Sequence, residues 1–240
     1  MATVSAGAYQ RDQRFFLNMA IGLALFIVFG FAQFAARGFV DYGAAPIWVH
    51  LHALVFGSWL LLFVMQNYLA ANGNLALHRR LGWLSAGLVV VMVLLGSFTG
   101  IKAIELHRAP PFFSPPYFLA LTHFGMLVFA GTVAAGIVKR RETEWHRRLM
   151  LAAAVLLLEP ALGRILPMPL IGGGEVGEWY VLAIQLFVFA LVMRHDRKVL
   201  GRVHPALLWG MGIVVVAHVG VTLLAHFPPF AAIANGLAGA

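Results

Sequence analysis

The chain has 240 residues, 61% of them hydrophobic and 11% charged, with a formal net charge of +8 and no cysteine. So much apolar side chain cannot be hidden in one water-soluble core, which predicts an integral membrane protein with the lipid bilayer as its first partner. The lack of cysteine excludes disulfides, thiolate iron–sulfur clusters and the C-x-x-C-H attachment of c-type haem.

Runs of roughly 18 or more apolar residues, long enough to cross a hydrocarbon core of about 30 Å, recur along the chain. After a short cytoplasmic tail over 1–14, seven helices are predicted: Phe15–Ala36, Ile47–Ala70, Gly82–Ile104, Tyr117–Val138, Leu149–Leu166, Trp179–Met193 and Ala206–Phe227, with a short tail over 231–240. The whole of 1–240 reads as one all-α polytopic membrane domain. The fifth segment carries Pro160 and ends at Pro167, and Gly172–Gly174 precede the sixth, so these two are the shortest. The first apolar run is long enough to span, so no cleaved signal peptide is expected.

Lysine and arginine set the orientation. With the N-terminus inside, the inner turns collect Arg79, Arg80, Lys139–Arg141, Arg147, Arg148, Arg194, Arg197, Lys198 and Arg202, while the outer side keeps Arg37, Lys102, Arg108 and Arg164. The positive-inside rule then gives an odd number of helices, N-terminus in and C-terminus out, in a bacterial inner membrane. The positive charge faces anionic lipid. No basic stripe with interleaved aromatics offers itself to nucleic acid.

A helical hairpin is used twice. One copy starts at His52 and crosses to "HRRL" at His78–Leu81; the other starts at His123 and crosses to "HRRL" at His146–Leu149. His52 and His123 lie about 8–9 Å below the outer boundary at helical rise, and His78 and His146 share a level at the inner boundary. Facing imidazoles on two helices, with small residues such as Gly57, Ala130 and Gly131 beside them, are what a bis-histidine haem needs. The alternative reading of the inner tetrads is interfacial anchoring, with arginines reaching the headgroups.

On these four histidines and their depths, the sequence resembles the transmembrane di-haem b-type cytochromes of the ascorbate-reducing kind. That likeness implies one haem between the second and fourth helices and another between the third and fifth, and a quinone or a redox protein as partner. In that family the ligands lie within the helices, whereas His78 and His146 fall at the boundary. A second likeness covers more of the chain. His52, Gln66, His78-Arg79 with Gly82, Trp145-His146-Arg147-Arg148 and "DRKVLGRVHPALLWG" over Asp196–Gly210 are similar to a broad family of bacterial polytopic membrane proteins classed as a domain of unknown function, which implies a fold and no activity.

Two polar residues fall nearer mid-membrane. Glu159 and His218 each need a partner there, and either a Glu159–His218 hydrogen bond or a shared cavity with His52, His123 and Arg164 would supply one. The most specific expectation is a membrane oxidoreductase for electron transport, with haem b on His52 and His123 as the outer ligands and on His78 and His146 as the inner ones. The alternative metal set is His52, His123, His218 and Glu159, holding zinc or non-haem iron for chemistry on a lipid-like substrate. A third reading is a non-enzymatic transporter or assembly factor.

Overall fold

The structure, a computed structural model, describes residues 6–239. Among these residues the chain is all helical: α1 Ala6–Ala36, α2 Ile47–Ala71, α3 Leu75–Glu105, α4 Pro115–Val138, α5 Thr143–Leu156, α6 Glu159–Ile165, a 3-10 turn over Met168–Ile171, α7 Gly174–Leu200, α8 Pro205–Ala225 and α9 Pro228–Leu237. Six of them (α1, α2, α3, α4, α7 and α8) are long and apolar enough to cross a membrane. Their outward faces carry large apolar side chains such as Leu61, Leu94, Trp209 and Leu223, while Asp12, Arg148, Glu178, Gln185, Asp196 and His218 are buried inside. A lipid-facing exterior around a partly polar interior is the signature of a membrane bundle.

The fifth predicted span is a broken helix, α5 followed by α6. Near its start Arg147 of α5 pairs with Asp12 of α1, and near its end the Arg164 carbonyl of α6 accepts from Gln33 Nε2 of α1 at 2.9 Å. The segment from 147 to 164 therefore runs beside α1 from 12 to 33, about 25 Å at helical rise. Pro160 has no N–H for the preceding turn, and the helix opens at Leu157–Leu158. Gln185 of α7 covers the gap by donating Nε2 to the Val155 carbonyl at 3.1 Å. Leu151 through Val155 are almost wholly buried, so α5 is the hub on which the other helices pack.

Several boundaries differ from expectation for local reasons. Asn74 caps α3 by accepting the Leu77 N–H, so the helix starts before the first H-R-R-L tetrad instead of at Gly82. With α5 starting at Thr143, His78 and His146 both become the fourth residue of their helices. The sixth predicted span is extended at both ends, to Gly174–Leu200, and Gly201 after it takes the left-handed conformation at φ +71° and closes the helix. The expected tails are mostly helical: α1 begins at Ala6, and 228–237 fold back as α9 against α3, α4 and α8.

Candidate functional site at the basic end

The inner pair of histidines comes together. The His78 and His146 ring centroids lie 6.1 Å apart with their planes at 87°. Each Nδ1 donates to a carbonyl at the end of the preceding helix, His78 to Gln66 at 3.3 Å and His146 to Gly136 at 2.8 Å. Equal register in two copies of one hairpin explains the symmetry. Holding Nδ1 on a carbonyl fixes the tautomer and leaves Nε2 of both rings as the atoms free to act. Beside them the Gln66 side-chain amide is buried with neither its nitrogen nor its oxygen partnered, and a Cβ on Gly82 would stand 3.9 Å from that nitrogen.

The arginines of the two tetrads part company. Arg79 and Arg80 are exposed in the first turns of α3. Arg147 and Arg148 are buried, at 8% and 0% exposure. Arg147 pairs with Asp12 and Glu144, and Arg148 with Glu144 and Asp196. Asp12 also accepts from His195 Nε2 at 2.7 Å, and that ring stacks on Phe15 at 3.7 Å. Asp196 further accepts the His204 backbone N–H at 3.0 Å, while the His204 ring meets Trp145 edge-on at 5.7 Å. His204 Nδ1 in turn caps α8 by accepting the Ala206 N–H at 3.1 Å. Burial, and then the charges of Arg148 and Arg202, hold the His204 imidazole below its ordinary range against the opposing pull of Glu144 and Asp196.

The outer histidines are not joined by any contact among the described residues. His52 stacks on Phe56 at 4.1 Å and its Nδ1 is buried without a partner. His123 donates Nδ1 to Leu119 of its own helix at 3.0 Å and lies against Gly100 of α3. His218 is held by Gln185, its Nε2 donating to Oε1 at 2.8 Å, so the anticipated Glu159–His218 bond is replaced by a Gln185–His218 one. Arg164 donates to the Pro160 carbonyl at 2.7 Å and lies over Phe31 of α1 at 4.2 Å, within electrostatic reach of Glu159 and His52. Among the described residues no group of three or more His, Asp or Glu side chains could hold a metal ion. The ligand set His52, His123, His218 and Glu159 is thus not assembled. Trp59 is fully buried against Phe63 and Phe129.

Several residues in these sites carry no sequence signal of their own. Gln185 sits inside the predicted sixth span and Glu178 just ahead of it, where the missed clue was the cost of a polar group in an apolar run. Asp12 and His195 lie 183 positions apart, and only folding joins them. Compared with protein-family models, with curated proteins and with solved structures, the chain finds no match in any of the three.

Proposed function

We propose that this multi-pass membrane protein transfers electrons through a b-type haem held between His78 and His146. The observation that carries the reading is the geometry of that pair. The two ring centroids lie 6.1 Å apart, a spacing at which both imidazoles could ligate one iron held between them. Both imidazoles have their outer-shell partner already, a backbone carbonyl on Nδ1.

A bound haem would supply one-electron exchange at iron, and the chain would supply its binding and surroundings. The carbonyls of Gln66 and Gly136 orient the rings. The buried pairing of Arg148 with Asp196 ties α5 to α7, so the helix that presents His146 is fixed two residues from the ligand. Arg79 and Arg80, next to His78 and exposed, suit the carboxylates of a haem edge. The unpartnered Gln66 amide offers a donor and an acceptor beside the pair. The outer pair, His52 and His123, is left out of this reading.

The test is the visible spectrum of the detergent-purified protein, with elemental analysis. A Soret band with sharp reduced α and β bands and stoichiometric iron is expected. A colourless protein carrying about one zinc per chain would overturn the reading.

A further inference from the structure

At the end of the bundle opposite the histidine pair, a cavity of about 290 Å³ opens between the 109–114 loop and the start of α7. Gly172, Gly173 and Gly174 form its roof with φ of +97°, +65° and +23°, and a Cβ on Gly174 would meet the Phe112 carbonyl at 2.4 Å. Only glycine lets the loop close so tightly. The walls are aromatic. The Phe112 and Phe113 ring centroids are 4.8 Å apart, and Phe113 stacks on Tyr117 at 5.6 Å.

Carboxyl groups gather at this chamber. Glu175 lines it, and Glu178 lies one turn deeper on the same side of α7. Glu178 is 1% exposed, and neither of its carboxylate oxygens has a hydrogen-bond partner among the described residues. Tyr117, in the cavity wall, lies within electrostatic reach of Glu178, Glu175 and Glu159 and hydrogen-bonds Thr222 of α8. The neighbouring cationic groups are engaged elsewhere. Arg164 of α6 is held against α1, His218 of α8 is bound to Gln185, and His226, 3.7 Å from Glu175, is largely exposed.

A buried carboxyl with both oxygens unpartnered is costly in either protonation state, because protonation removes the charge and still leaves an O–H and a carbonyl oxygen unmatched. A positively charged hydrogen-bond donor answers both needs. A hard metal ion calls for an oxygen cage, whereas this chamber has rings for walls, and ring faces attract organic cations. We propose that the chamber binds a small organic cation of the ammonium class, with Glu178 as counter-charge, Phe113 and Tyr117 as the rings it rests on, and the Gly172–Gly174 turn with Phe112 as its roof. The proposal is independent of the haem reading.

Isothermal titration of the full-length protein in nanodiscs with methylammonium chloride, against sodium chloride at equal ionic strength, tests it. Saturable binding near one per chain is expected with methylammonium alone, at least tenfold weaker in Glu178→Gln and severalfold weaker in Phe113→Leu. Should Glu178→Gln fail to purify, Phe113→Leu, whose change lies in a loop, decides the matter. No saturable binding, equal binding of sodium, or wild-type affinity in whichever variant is tested would overturn the proposal.

Discussion

Arg148 of α5 and Asp196 of α7 face each other with both side chains fully buried, Nε donating to Oδ2 at 3.1 Å and Nη2 to Oδ1. The two-point geometry suits guanidinium and carboxylate. It makes the second H-R-R-L tetrad a structural clamp where the first is a surface anchor. Removing one partner strands the other charge in the core. Arg148→Met is expected to destabilise the bundle by roughly 3–5 kcal/mol, while the double variant Arg148→Met with Asp196→Leu should recover much of the loss. Thermal unfolding in detergent of the two single variants and the double one reads this directly. Additive losses would contradict the clamp.

The basic end should lie on the cytoplasmic side. Reporter fusions after Asn72 and after Glu142 are expected to read inside, and fusions after Ala109 outside, because Arg79, Arg80, Lys139, Arg140 and Arg141 crowd the short turns at one end. An outside reading after Asn72 would reverse the bundle and put the His78–His146 pair on the other face.

The histidine variants separate the inner pair from the outer one. His78→Ala or His146→Ala is expected to abolish most haem absorbance, since each removes one of two facing imidazoles and neither ring has a neighbouring histidine in contact to replace it among the described residues. His52→Ala and His123→Ala should leave the spectrum close to wild type. Loss of colour in the outer variants with retention in the inner ones would move the ligands to His52 and His123.

These contrasts mark how far the sequence could be read. The all-α membrane bundle, the repeated hairpin and the common level of His78 and His146 follow from period, length and spacing. Their meeting was legible only as equal depth. Which pair would touch depends on helix rotation, and the depth count carries no rotation for helices whose starts are set by a cap such as Asn74. The break in α5–α6 was flagged by Pro160, but its repair by Gln185 was not, because a glutamine inside an apolar run names no partner. The two arginine pairs look alike in sequence and differ in burial. Asp12 and Asp196, from distant segments, make that difference.

Gln185 and Gln66 give a paired stability test. Gln185 serves two buried groups, the Val155 carbonyl and His218 Nε2; the carbonyl keeps the Leu158 N–H at 3.1 Å, so Gln185→Leu leaves His218 Nε2 as the unmatched group and should cost about 1–3 kcal/mol. Gln66 has a buried amide with no partner, so Gln66→Leu should leave the melting temperature unchanged or raise it. If the amide serves the cofactor, the same substitution should weaken haem retention in the holoprotein. Melting curves with and without haem distinguish the two effects.

The basic end should loosen in mild acid, and His204 supplies part of the reason. Its imidazole is held below the ordinary range first by burial and then by the Arg148 charge. A histidine whose pKa is lowered on folding binds fewer protons in the folded state than in the unfolded one. Stability is therefore intact above the unfolded value of about 6.5 and declines as pH falls from there towards the folded pKa. His204→Asn removes the titration and keeps a side-chain oxygen able to cap α8 where Nδ1 now accepts the Ala206 N–H. The variant should match wild type in melting temperature at pH 7.5 and exceed it at pH 5.5. The difference between the two curves isolates this residue from the other buried histidines, which titrate in both proteins. A wild-type curve that runs parallel to the variant's across this range would show that His204 takes up no proton on unfolding. It would then act only as a cap.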